Sequence, residues 1–201
     1  MKKVLYIKAN AKPEKMSRTY RISESFIKTY KETHPLDEII TLDLYKEGID
    51  FLPGDKLMEL HAPKKGEGRD NPILKYAFQF VEADKYVIAE PMWNLGIPAI
   101  LKAYIDYITV AGITFKYTEN GSVGLCLGKK AVNITSRGGA YMEGPGSDLE
   151  MGDRYLRTLL GFFGITDFTT IAAEMLDVIG MDVDAIVGKA IKEAQDLAKI
   201  F

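Results

Sequence analysis

An open α/β fold, a parallel sheet with helices on both faces, is what this 201-residue sequence predicts. Three observations carry the expectation. Short β-rich apolar runs alternate with stretches of helical periodicity, which implies right-handed βαβ crossovers. The length suits one domain, residues 1–201, with a sizeable core. Three loops of unusual composition follow the first, third and fourth apolar runs, at the end of the sheet where such folds place ligands.

The first strand is Val4–Ile7. Ala9–Lys15 is polar and contains Pro13, so it reads as a loop. Within Ser17–Glu32, residues Tyr20, Ile22, Phe26, Ile27 and Tyr30 fall close to helical spacing, and Ser17 suits the N-cap. Glu38–Leu44 reads as the second strand. Residues 45–71 are irregular, with Pro53, Gly54, Pro63, Gly66 and Gly68 and a short helix around Asp55–His61. Pro72–Asp84 is helical, with Leu74, Phe78 and Val81 on one side. Tyr86–Ala89 is the third strand, and Pro98–Val110 a helix opened by Pro98 in its first turn. Thr114–Tyr117 is extended and runs into a turn at Thr118–Gly121. Lys130–Thr135 is the fourth strand, and Ser136–Met151 a long loop bearing Gly and Pro. Asp153–Phe163 is a helix that Gly164 stops. Phe168–Ala173 is the fifth strand and Val183–Ile200 the last helix. Five strands at this length suit a flavodoxin-like three-layer sandwich, a five-stranded parallel sheet in the order 2-1-3-4-5.

Composition excludes several classes. Apolar residues make up 47% and charged residues 27%, as in soluble globular proteins. A net charge of −2 and a pI near 5.8 give no broad positive field for nucleic acid. No apolar run reaches the length of a membrane span, and the start of the chain lacks a signal-peptide pattern, so a cytoplasmic protein is expected. The single cysteine, Cys126, rules out an intrachain disulfide and reads as a small buried residue on a strand edge. His34 and His61 have no partner spacing and read as surface residues rather than metal ligands.

The three loops carry the chemistry. Asn10 and Ser17-Arg18-Thr19 flank a loop that enters a helix, where exposed N–H groups and the helix dipole favour an anion. Two hydroxyls and a guanidinium add direct bonds to a phosphate, although a capped helix under a solvated loop explains the same residues equally well. Neither Gly-Lys-Ser/Thr nor Gly-x-Gly-x-x-Gly is present, which points to a mononucleotide rather than ATP or a dinucleotide. Pro91-Met92-Trp93-Asn94-Leu95 offers apolar faces and amide donors to a flat polar ring, a combination that points to flavin. Backbone donors fixed near such a ring help set its redox potential. Ser136-Arg137-Gly138-Gly139 lets backbone approach a ring closely, or forms an ordinary turn. No hydrolytic carboxylate pair and no Ser/His/Asp or Cys/His set is legible.

Several strings then match a known family. They are Lys2-Lys-Val-Leu-Tyr-Ile-Lys8, Ser17-Arg-Thr19, Pro91-Met-Trp-Asn-Leu95 with Pro98 and Leu101-Lys102, Gly112-Ile-Thr-Phe-Lys-Tyr-Thr-Glu-Asn-Gly121, Gly128-Lys-Lys130, Thr135-Ser-Arg-Gly-Gly139 and Leu160-Gly-Phe-Phe-Gly-Ile-Thr-Asp167. Nearly end to end, the chain resembles the FMN-dependent NADH-azoreductases, a branch of the flavodoxin-like NAD(P)H:quinone oxidoreductases. The resemblance implies one bound FMN per subunit. Asn10, Ser17, Arg18 and Thr19 would hold its phosphate and ribityl end. Pro91, Met92, Trp93, Asn94 and Leu95 would contact the ring, and Ser136, Arg137, Gly138 and Gly139 would close over its other edge. It also implies a homodimer in which Tyr117 and Phe162 wall the substrate space, Phe162 reaching over from the partner subunit. Asn10 stands where the family often has serine. Trp93 stands where it often has tyrosine or phenylalanine, and its size narrows the pocket.

The implied activity is two-electron reduction of quinones and aromatic azo compounds, with hydride from NADH or NADPH and ping-pong order. The cofactor carries that chemistry, so no catalytic residue is expected. The alternative is a flavodoxin-type electron carrier without small-molecule reductase activity. Such a carrier needs a strongly acidic rim, which a net charge of −2 does not supply.

Overall fold

A computed structural model of the chain describes residues 1–57, 60 and 70–201. Its elements, in chain order, are β1 (Lys3–Lys8), α1 (Arg18–Thr33), β2 (Glu38–Asp43), α2 (Lys75–Glu82), β3 (Lys85–Pro91), α3 (Ala99–Ile108), β4 (Phe115–Thr118), β5 (Gly121–Gly124), β6 (Lys130–Ser136), α4 (Gly152–Phe162), β7 (Asp167–Ala173) and α5 (Val183–Ala198). Five strands form one parallel sheet in the order β2-β1-β3-β6-β7. That is the expected 2-1-3-4-5 order, renumbered because the extended piece at Thr114–Tyr117 becomes half of an antiparallel hairpin, β4–β5.

Alternation along the strands builds two cores. In β1, Leu5 and Ile7 face one side with Tyr86, Ile88 and Ala131. Residues from α2, α3 and α4, among them Phe80, Tyr104 and Leu156, cover that side. Val4 and Tyr6 face the other side, under Phe26 and Tyr30 of α1 and Val187, Ala190 and Ala194 of α5. Cys126 is fully buried in the first core.

Helix ends follow the local chemistry. The Ser17 Oγ accepts from the Tyr20 N–H at 3.1 Å and caps α1. Pro98 lies one residue earlier than expected, as the N-cap of α3 rather than in its first turn. Gly164 takes φ 93° just past α4, which only glycine does without strain. The expected Pro72–Asp84 helix divides into a 3-10 turn at Pro72–Leu74, capped by Asn71, and the shorter α2. Within the expected Asp55–His61 helix, Gly54–Lys56 forms a 3-10 turn. The remainder lies largely outside the described residues, as do His61, Pro63, Gly66 and Gly68.

Strands β1, β3, β6 and β7 end together, and backbone bonds tie the loops that leave them. The Ala9 N–H donates to Ala89 O (2.9 Å), Met92 N–H to Ser136 O (3.0 Å), and Arg137 N–H to Ala173 O (2.8 Å).

Candidate functional site

At that edge lies a hollow of about 230 Å³. Its wall includes Asn10 and Arg18 from the first loop, Pro91, Met92 and Trp93 from the second, and Ser136, Arg137 and Gly138 from the third. The three loops singled out in the sequence therefore converge.

The first loop is held by buried polar bonds. Asn10 Nδ2 donates to Ser17 Oγ at 2.8 Å, and its Oδ1 accepts from the Lys12 N–H at 3.0 Å. The Tyr20 hydroxyl accepts from the Asn10 N–H and donates to the Asn10 carbonyl, each at 2.9 Å. Ser17 and Thr19 are buried, and Thr19 Oγ1 shares a 2.7 Å bond with Ser136 Oγ. Neither lines the hollow; they brace it. Among the described residues, no hydrogen bond within the chain takes up the N–H of Arg18 or Thr19. These two donors open a 16-residue helix, the arrangement that holds a phosphate.

The second loop is a two-residue turn. Trp93 and Gly96 exchange backbone bonds of 2.9 and 3.0 Å, as in a hairpin. Asn94 (φ 50°) and Leu95 (φ 69°) both adopt left-handed backbone, the primed type of turn. Glycine normally takes the second of those positions, but here Gly96 lies outside it. The turn is pinned by Met151 N–H donating to the Leu95 carbonyl at 2.9 Å. Met92 and Trp93 are half-buried and line the hollow, whereas Asn94 and Leu95 are exposed beyond it.

In the third loop, Arg137 is 3% exposed. Its Nη1 donates to Glu174 Oε1 at 3.0 Å, and its Nη2 lies 3.3 Å from Glu150 Oε1. Glu150 also accepts from the N–H groups of Gly152, Asp153 and Arg154, capping α4. The Arg137 guanidinium is thus committed to two carboxylates, so this residue shapes the wall rather than offering a free cation. A Cβ on residue 138 would lie 2.7 Å from Asp177 Oδ2, so the carboxylate packs closely over this glycine. Gly139 stands next to Tyr141, outside the lining.

Four lining residues escaped the sequence reading: Lys12, Met16, Leu176 and Asp177. Lys12 and Met16 lie in or beside the loop already singled out. Leu176 and Asp177 follow β7, and no motif marks them; only the shared strand ends could have. Tyr117 and Phe162 stand apart from the lining, packed around Phe115 at ring distances of 5.3 and 4.7 Å. They are 74% and 37% exposed. No cluster suited to a metal ion occurs among the described residues.

The donor set fits a flat ring joined to a phosphate. The Arg18 and Lys12 cations and half-buried Met92 and Trp93 line the hollow, and the free N–H groups of Arg18 and Thr19 open the helix that leaves its first loop. Fold and site together define a flavodoxin-like protein, and a family model described as Flavodoxin-like fold matches residues 2–198. The FMN-dependent NADH:quinone oxidoreductase 2 of Clostridium acetobutylicum is 68% identical over 201 residues, all of both chains. The crystal structure of the azoreductase AzrA aligns at TM-score 0.91 with 38% identity, covering 99% of this chain and 100% of that one. A Bacillus anthracis (Ames Ancestor) FMN-dependent NADH-azoreductase, solved in complex with FMN, aligns at 0.89 with 30% identity over 100% and 99%. The chain belongs to this family of FMN-dependent NADH:quinone oxidoreductases and azoreductases.

Proposed function

We propose that the protein is an FMN-dependent oxidoreductase that takes hydride from NADH, with NADPH as a second possible donor, and reduces quinones and aromatic azo compounds by two electrons. The observation that carries this reading is the convergence of three loops on one hollow, lined by the Arg18 and Lys12 cations and by half-buried Met92 and Trp93, beside a helix N-terminus with two free N–H groups. When bound, FMN supplies the redox chemistry, accepting a hydride and passing two electrons on.

The chain's own residues bind and orient. The N–H groups of Arg18 and Thr19, with the Arg18 and Lys12 cations, would hold the phosphate, while buried Asn10 and Ser17 keep that loop in place. Pro91, Met92 and Trp93 would flank the ring, with Asn94 and Leu95 at its outer edge. Ser136, Gly138 and Gly139 would follow its opposite edge, and Arg137 would hold their backbone in place. Donor and acceptor would share one open side and enter in turn, which is ping-pong order.

We further propose a homodimer, a single domain per subunit, working in the cytoplasm. Tyr117 and Val123 on the β4–β5 hairpin, Leu125 and Leu127 just after it and Phe162 at the end of α4 are exposed apolar side chains. In that dimer a second copy would cover these side chains, and Tyr117 and Phe162 would wall the substrate space. No helix among the described residues is long and apolar enough to cross a membrane.

One preparation tests the reading. The expected protein is yellow, runs as a dimer, and oxidises NADH with a small quinone along parallel steady-state lines. Absence of flavin absorbance even after FMN is added would overturn it, and intersecting lines would remove the ping-pong order.

A further inference from the structure

Asp177 is a carboxylate in the wall of the hollow, beside the Arg18 guanidinium. Its N–H donates to the Gly138 carbonyl at 3.0 Å. Its Oδ2 lies 2.7 Å from where a Cβ on residue 138 would stand, and its Oδ1 accepts from Arg18 Nη1 at 2.8 Å. Both partners line the hollow. Since Arg137 is committed to Glu150 and Glu174, Arg18 and Lys12 are the cations available to an incoming anion. One of the two is already engaged.

We infer that Asp177 is an internal competitor for Arg18, so that the phosphate of a bound flavin must take the guanidinium from this carboxylate and remain beside a like charge. The inference rests on the FMN reading of the site. Asp177 is then a specificity-determining residue: it sets how tightly a flavin is held through its phosphate and leaves the ring contacts untouched. Both partners are substantially exposed (39% and 72% for the side chains), so the effect is that of a solvent-screened pair.

The test uses apoprotein, titrated with FMN and with riboflavin, which has the ring but no phosphate. Asp177→Asn is expected to bind FMN about two- to fivefold tighter than the wild type, the scale of an exposed charge interaction. Riboflavin affinity should be unchanged, and the FMN gain should shrink in high salt and in an Arg18→Gln background. Unchanged or weaker FMN binding by Asp177→Asn would overturn the inference while leaving the cofactor reading intact. An equal gain for riboflavin would also overturn it, because a charge effect requires the phosphate. A wild type that binds neither flavin would sink both readings together.

Discussion

Beneath the Asn10–Thr19 loop, β1 ends on Lys8; beneath the Pro91–Leu95 turn, β3 carries Glu90 one residue before Pro91. Both are nearly inaccessible, at 4% and 1% exposure. Lys8 donates to Glu14 and, at 3.0 Å, to Glu24, and its ammonium lies 4.5 Å from the centre of the Tyr20 ring. Burial pulls its pKa down, but the bonds to Glu14 and Glu24 more than offset this and hold it above the ordinary lysine value. Glu90 has no such partners. Its Oε1 accepts a long 3.4 Å bond from Asn133, and its Oε2 has no hydrogen-bond partner. Burial pushes its pKa up to about 7, outweighing the opposite pull of Thr135, Asn133 and the Arg137 charge. The contrast shows two ways of tolerating a charge under a binding loop. A lysine remains charged when its carboxylates keep one side in water, whereas a sealed carboxyl holds its proton to a higher pH.

The largest expected effect tests the Glu90 half of that contrast. Its folded pKa of about 7 lies above the ordinary 4.5, so the folded protein holds a proton that the unfolded chain has released. The associated stability is fully present below pH 4.5 and is lost as pH rises through about 7. The loss is on the order of 3 kcal/mol. Glu90→Gln should remove this slope and be more stable than the wild type near neutrality and above. Urea denaturation of both proteins across the pH range reads the difference. A difference that stays constant with pH would show that Glu90 titrates in the folded protein as it does in the unfolded chain.

Lys8→Met tests the other half. Glu14 and Glu24 are half in water, so neither is stranded when the ammonium goes, and the cost should be about 1–2 kcal/mol. The loosening should concentrate in residues 10–17, because Glu14 sits in the 3-10 turn that leads into α1. Hydrogen exchange at the Ser17 and Tyr20 amides reads it. Faster exchange spread evenly over the sheet would mean that Lys8 supports β1 rather than the loop.

The fold was legible because its signals are local: β-rich runs, helical spacing in Ser17–Glu32, the Ser17 cap and the Gly164 stop. The β4–β5 hairpin was half visible, since its second strand, Gly-Ser-Val-Gly, has too few apolar residues to show a period. At the site, loop composition located the hollow but not what each side chain does there. Arg137 stands in the sequence only as part of the Ser136–Gly139 loop, and only packing reveals Glu150 and Glu174 around its guanidinium. Asp177 has no sequence signal, because its partner Arg18 is remote in the chain and only the fold brings the two together. Glu90 looks like the polar end of an apolar strand until burial removes its water.

The smallest expected effect concerns the turn at 93–96. Asn94 and Leu95 occupy backbone that favours glycine, and asparagine tolerates it better than an aliphatic residue does. Asn94→Leu would place two aliphatic residues there in succession, at a cost of about 0.5–1 kcal/mol. Asn94 is exposed, so no core contact is lost with it. The same variant should also retain FMN less well, since it removes an amide from the proposed edge of the ring. Thermal unfolding of apoprotein isolates the backbone cost, and an FMN titration adds the contact. Weaker FMN binding with unchanged apoprotein stability would assign Asn94 to the ring alone; reduced stability with unchanged FMN binding would assign it to the turn. The effect should be smaller than that of Lys8→Met, because here the backbone bonds between Trp93 and Gly96 hold the loop whatever side chain it carries.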